Sequence, residues 1–218
     1  MLKDIQAVIF DMDGTLIDSM WLWSKIDEDF LMKRNIICPS DLKTKIQNFT
    51  LNETAHYFKN TFVLKESIEE ICSEWDEMAF EEYKFNIKLK PGAKSFLNFL
   101  KKQGIKIALA TSNSQPLLEI ALKSNGIYEY FDAITTSKEV SRGKGFPDIY
   151  LLTAEKLNIP PKHCLVFEDI LPAVKGAKAA GMTVVAVEDS YSDFEKKEIK
   201  NLSDYYISEF TEINEKAV

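Results

Sequence analysis

Long apolar runs, a leader segment, paired cysteines and surplus positive charge are all missing from this chain, and each absence removes a class of function. No uninterrupted apolar stretch approaches the roughly 18 residues that span a bilayer, and no basic-then-apolar segment stands at the N-terminus. A cytoplasmic protein with no membrane partner is expected. The three cysteines, Cys38, Cys72 and Cys164, are odd in number and form no CxxC pair. They read as reduced, mostly buried small hydrophobes in a reducing compartment. Lys and Arg total 27 against 34 Asp and Glu, a net charge of −7, which argues against nucleic acid and anionic lipid as partners. Any phosphate ligand must be met by local positive groups or a metal. There are two histidines, and neither is expected to be catalytic: His56 falls in a helical pattern and His163 follows Pro160-Pro161-Lys162 at a strand entrance. No internal repeat or low-complexity tract is present.

What the chain does have is apolar content, 45% of 218 residues, enough for one core or one core with an inserted subdomain. Ala7-Val8-Ile9-Phe10 reads as a buried strand. From Ile87 onward strands and helices alternate. Ile105–Thr111, Ala133–Thr135, Cys164–Phe167 and Thr183–Val187 read as strands. Gln115–Asn125, Pro147–Leu157 and Pro172–Ala180 read as helices, two of them closed by Gly126 and Gly181. Alternation of this kind predicts an α/β fold, a doubly wound parallel sheet covered on both faces. Residues 18–86 differ, with helical spacing and no convincing strand. Ile68, Ile71, Cys72, Trp75, Met78, Ala79 and Tyr83 fall on one helix face. The expected division is a core of residues 1–17 and 87–218 and an inserted α-helical domain of residues 18–86. The charged tail offers a weak strand near Tyr205-Tyr206-Ile207, and Glu195–Lys200 reads as a solvated helix face.

The first strand ends in Asp11-Met12-Asp13-Gly14-Thr15. Packing has no use for paired acids at the end of a buried strand. In an open parallel sheet, ligands sit beyond the carboxyl ends of the strands. Thr111 and the Glu168-Asp169 pair end two further strands, and Lys144 precedes a helix in Gly143-Lys144-Gly145-Phe146-Pro147-Asp148. This fold would gather all of them at one rim. There Asp11 can attack phosphorus as a carboxylate nucleophile, and Asp13 can protonate the leaving oxygen and then deprotonate water. A hard cation, expected to be Mg²⁺, would neutralise the meeting of two anions at Asp11, Asp169 and the backbone carbonyl of Asp13. Lys144 would add a positive charge and Thr111 a hydroxyl donor. Glu168 would orient Lys144 or a metal-bound water. Gly14, Thr15, Ser112 and Asn113 are candidates to line the phosphate. Trp21 and Trp23 serve either packing or substrate contact, with Trp23 the candidate for contact. A calcium loop of the EF-hand type is excluded because Gly14 comes too early.

Asp11-x-Asp13-Gly-Thr, Leu109-Ala-Thr111-Ser-Asn113, Lys144 and Glu168-Asp169 resemble, in order, the four motifs of the haloacid dehalogenase (HAD) superfamily of phosphotransferases. Gly143-Lys144 with Pro147-Asp148-Ile149-Tyr150, and Gly176-Ala-Lys-Ala-Ala-Gly181-Met182, are similar to its β-phosphoglucomutase and phosphoglycolate phosphatase branch. The resemblance implies a Rossmann-like core and a helical cap that closes over substrate. Ile170 departs from the Ser that many relatives carry after the acidic pair.

Relatives that displace halide lack the second aspartate and the metal, so phosphoryl transfer is the expected reaction. β-Phosphoglucomutases carry a histidine where this chain has Trp23, and a cap arginine where Asn48–Glu53 places Leu51; the insert's one arginine is Arg34. Both departures favour a phosphatase acting on a small phosphorylated metabolite (a sugar, polyol or glycolate phosphate) as a monomer or weak homodimer. A sugar phosphomutase is the alternative. A receiver-like phosphoaspartate signalling module is the alternative of another class.

Overall fold

Four strands, AVIF, KIALAT, CLVFE and TVVAV, are almost wholly apolar and buried, and that composition suits a sheet buried on both faces. The computed structural model describes residues 1–46, 49 and 51–213. In chain order the elements are β1 (Ala7–Phe10), α1 (Trp21–Met32), α2 (Leu42–Ile46), α3 (Leu51–Thr61), α4 (Ile68–Phe85), α5 (Ala93–Lys102), β2 (Lys106–Thr111), α6 (Gln115–Ser124), β3 (Ala133–Thr136), α7 (Asp148–Leu157), β4 (Cys164–Glu168), α8 (Leu171–Ala179), β5 (Thr183–Val187), α9 (Lys196–Leu202) and β6 (Tyr205–Ile207). The six strands form one sheet in the order β3-β2-β1-β4-β5-β6, parallel throughout. The expected doubly wound α/β architecture is present, and the weak tail strand joins it as β6.

The two faces of the sheet differ in side-chain size. One face presents Ala7, Ile9, Ala108, Ala110, Val166, Val184 and Ala186, packed with Ile149, Tyr150 and Ala154 of α7 and Val174 and Ala177 of α8. Small residues there let the two helices approach closely. The other face is aromatic: Phe10 stacks on Phe167 at 5.0 Å, Phe96 of α5 meets Phe167 at 5.4 Å, and Phe210 meets Phe167 at 5.3 Å. At the β3 edge the Lys156 ammonium donates to the Ile134 carbonyl (2.8 Å) and to Glu139 (2.6 Å). The β6 edge is three residues long.

The chain divides into two units, Met1–Met20 with Ile87–Val218, and Trp21–Asn86. The second unit is helical, built around Phe30, Phe58 and Trp75, whose rings meet edge to face at 5.0–6.0 Å. Its longest helix, α4, starts at a capping box. The Glu70 N–H donates to Ser67 Oγ (3.1 Å) and the Ser67 N–H to Glu70 Oε2 (2.7 Å). Arg34 follows α1 and spends all of its N–H groups inside this unit, on Glu66, Glu74 and the Phe30 carbonyl, with its guanidinium 3.6 Å over the Phe30 ring. Of the cysteines, Cys164 is buried while Cys38 and Cys72 are only partly so, and all three are free. The expectation of mostly buried thiols thus fails for two of the three, which lie in the smaller, helical unit with less core to cover them. Asn48 and Thr50, part of the segment compared with the mutase arginine, lie outside the described residues.

Candidate active site

The strand order reverses between β1 and β4, because β2 and β3 lie on one side of β1 while β4, β5 and β6 lie on the other. The crevice at such a switch point is where an open α/β sheet binds its ligands. Phe10 is paired with Phe167 and with Leu109, so β1, β2 and β4 end within two residues of one another. Asp11 is seated by its own N–H, which donates to the Phe167 carbonyl (3.0 Å). The chain then closes a tight loop: the Leu16 and Ile17 N–H groups both reach the Met12 carbonyl, and the Gly14 N–H reaches that of Ile17.

Carboxylate oxygens of Asp11, Glu168 and Asp169 lie within 4.8 Å of one another, all buried. Lys144 reaches into this group from the loop before α7. Its Nζ donates to Asp11 Oδ1 (2.6 Å) and also pairs with Glu168 Oε1. The Tyr150 hydroxyl donates to the same Glu168 oxygen (2.8 Å), and Thr15 Oγ1 donates to Asp169 Oδ1 (3.1 Å). Burial pulls the Lys144 ammonium down, yet the flanking charges of Asp11 and Glu168 hold it above its ordinary value. Burial pushes the Glu168 carboxyl up to about 7, with Lys144 pulling it back. Asp169 is driven well above the carboxylate range by burial and by the charges of Asp11 and Glu168. Two buried oxygens, Asp169 Oδ2 and Glu168 Oε2, have no hydrogen-bond partner among the described residues. Unpaired carboxylate oxygens in a dry pocket are costly, and a hard divalent cation with oxygen ligands suits them.

Asp13 is half-buried, and its carboxylate is held apart from this cluster. It accepts from Ser19 Oγ (2.7 Å) and from Asn113 Nδ2 (2.9 Å). Thr111 Oγ1 accepts from the Asn113 N–H (3.0 Å), so the residues after β2 form a turn that aims Asn113 at Asp13. Ser112 is exposed in that turn. Gly14 is required, because its φ is 80° and a Cβ there would collide with the Asp169 carboxylate. Trp23, the candidate for substrate contact, lies on α1 in the helical unit, and Trp21 on the same helix is 41% exposed.

Three contributors went unassigned in the sequence. Ser19 and Tyr150 give no composition signal. Gly176, in mid-helix α8, carries one: an added Cβ would strike the Lys144 backbone and come within 2.8 Å of the Phe146 carbonyl. A glycine inside a helical pattern points to such a close approach.

Residues 8–187 match the family model described as haloacid dehalogenase-like hydrolase. The chain is 33% identical over 178 residues to "Phosphorylated carbohydrates phosphatase" of Thermotoga maritima, covering 82% of each chain. It is 27% identical over 220 residues to "Hexitol phosphatase B" of Escherichia coli, covering 98% of this chain and 96% of the other. Among solved structures, a HAD hydrolase of family IA, variant 3, from Entamoeba histolytica superposes with a TM-score of 0.82 at 26% identity, covering 97% and 96% of the two chains.

Proposed function

Because the chain belongs to the haloacid dehalogenase-like hydrolases, we propose that it is a Mg²⁺-dependent phosphatase of small phosphorylated carbohydrates or polyols, working through an aspartyl-phosphate on Asp11. The observation that carries this reading is the buried cluster of Asp11, Glu168 and Asp169 with Lys144 2.6 Å from Asp11. The substrate class follows the names of the relatives.

Asp11 is the nucleophile. Its carboxylate attacks phosphorus, the ester bond breaks, and the phosphoryl group is carried on Asp11. Asp13, steered by Ser19 and Asn113, gives its proton to the leaving alkoxide and takes one from the water that later attacks the aspartyl-phosphate. Lys144 offsets charge on the phosphoryl oxygens, and Glu168, fixed by Tyr150, holds Lys144 in place. Thr111 shapes the turn that presents Asn113, and the backbone from Gly14 to Thr15 with Ser112 and Asn113 would frame the phosphate. Asp11 and Asp169, with the Asp13 carbonyl, would hold Mg²⁺, which when bound supplies Lewis-acid charge neutralisation. The orphaned Asp169 oxygen fits that role.

Hydrolysis is favoured over intramolecular transfer by Arg34. A phosphomutase needs a cationic fork for its second phosphate, and all N–H groups of this guanidinium are committed to Glu66, Glu74 and Phe30. The test is phosphate release by purified protein from hexose phosphates, hexitol phosphates, glycerol phosphate and phosphoglycolate, in Mg²⁺ or EDTA, alongside Asp11→Asn. EDTA-sensitive release that Asp11→Asn abolishes is expected. Release by Asp11→Asn at more than a tenth of the wild-type rate would remove Asp11 as nucleophile. Glucose 6-phosphate formed from β-glucose 1-phosphate with little free phosphate would replace the phosphatase by a mutase.

A further inference from the structure

A second buried ion pair stands at the same rim and takes no step in the chemistry above, although the charge of Asp189 is felt at Asp169. Lys90 and Asp189 are each 8% exposed. Lys90 Nζ donates to Asp189 Oδ2 (2.9 Å) and to the Glu188 carbonyl (2.7 Å), and Asp189 Oδ1 accepts the Tyr191 N–H (2.9 Å). Burying two charges costs hydration that a pair of apolar side chains would not lose. An ion pair fixes direction and register where apolar packing would tolerate slip.

What this pair fixes is visible in the backbone. The Lys90 N–H donates to the Leu16 carbonyl (2.9 Å), the Asp18 N–H donates to the Lys88 carbonyl (2.9 Å), and Ile17 bridges Leu89 in antiparallel fashion. Residues 88–90 therefore brace the loop of residues 12–17 from outside, while that loop's inner bonds close it around Met12. Asp13 rides on this loop, and Lys90 fastens the brace to the residues that follow β5.

We propose that Lys90 is a positioning residue: anchored through Asp189, it holds the loop of residues 12–17 so that the Asp13 carboxylate stands in proton-transfer reach of the ester oxygen. This rests on the phosphatase reading above. A displacement of about 1 Å at a reacting group costs on the order of a hundredfold in rate. The paired variant Lys90→Met/Asp189→Leu removes both charges while keeping bulk. Asp189→Asn removes one and keeps the acceptor for Tyr191. Both are measured against wild type for kcat and KM with whichever of the hexose, hexitol and glycerol phosphates the wild type hydrolyses fastest, since an alkoxide must be protonated to leave, and by calorimetric Mg²⁺ titration without substrate.

The expected result is a kcat about 10- to 100-fold lower in the paired variant, with KM and Mg²⁺ affinity within about twofold of wild type, and a smaller loss of kcat alone in Asp189→Asn. Unchanged kcat in both variants would overturn the assignment. So would KM and Mg²⁺ affinity collapsing together with kcat, the mark of general loosening. Should the paired variant not fold, Asp189→Asn alone decides. A wild type that hydrolyses no monoester overturns the phosphatase reading and this inference with it, an outcome distinct from active enzyme with indifferent variants.

Discussion

Replacing Lys144 by Met keeps most of the buried volume and removes the ammonium that pairs with Asp11 and Glu168. The three-residue group is dry, with side-chain exposures of 7% for Lys144, 10% for Asp11 and 1% for Glu168. Removing one partner of a buried ion pair costs about 3–5 kcal/mol, because the other charge stays behind unpaired. For a chain of this size that is a fall of about 10 °C in melting temperature. The cost depends on pH. Glu168 already sits above its ordinary range, at about 7. The folded state thus binds more protons than the unfolded state between the ordinary carboxylate value and pH 7, and stability declines as pH rises through that window. Lys144 is the group that pulls Glu168 back down, so its loss extends the decline to higher pH. Urea unfolding of Lys144→Met and wild type in EDTA at pH 5, 6, 7 and 8 should show a deficit of about 1 kcal/mol at pH 5 that grows to about 3 kcal/mol or more at pH 8. A deficit equal at pH 5 and pH 8 would refute the reasoning, since it would mean that Lys144 contributes packing and not charge.

Gly14→Ala would place a methyl group against the Asp169 carboxylate at a φ of 80°. Phosphatase activity should fall by about 100-fold or more with a loss of roughly 2 kcal/mol in stability, checked by kinetics and thermal melting. Tyr150→Phe deletes only the hydroxyl, which lies 2.8 Å from Glu168 Oε1 and 3.2 Å from the Ala173 carbonyl. It should cost about 1–2 kcal/mol in urea unfolding, and an unchanged midpoint would show that the hydroxyl carries nothing. Asp27 in α1 is half-buried, and burial, with Glu28 adding to it, raises its carboxyl to about 7. That raised value is a cost which appears as pH climbs from about 4 to about 7. Asp27→Asn should therefore gain about 1–2 kcal/mol at pH 8, after discounting for partial exposure, and nothing at pH 4; a gain at pH 4 as large as at pH 8 would count against it.

The fold was readable because its signals are local. Ala7–Phe10, Cys164–Phe167 and Thr183–Val187 are continuous apolar runs of strand length, and acids directly follow all three, standing out against that background. The strand order could not be read residue by residue, yet a parallel sheet brings strand ends to one rim in any order, so Asp11, Lys144, Glu168 and Asp169 could be grouped beforehand. What stayed hidden depends on three-dimensional return paths. Ser19 reaches Asp13 only after the Met12–Ile17 loop closes, Tyr150 meets Glu168 across the interface between α7 and β4, and Lys90 finds Asp189 because residues 88–90 run beside residues 16–18. Arg34 was visible as a lone arginine, but its partners Glu66 and Glu74 lie on other parts of the helical unit.

The β3 edge has a bearing on self-association. An unpaired strand edge offers a row of carbonyls and amides to any passing chain, and proteins that must stay dispersed obstruct it. Here an incoming strand would have to evict an ammonium from the Ile134 carbonyl and part it from Glu139, exchanging a charge-assisted bond for an ordinary one. At the opposite border, three residues of β6 give a visitor too little length to form a lasting ladder. Crowded copies of this protein are thereby steered away from joining sheet to sheet into fibres.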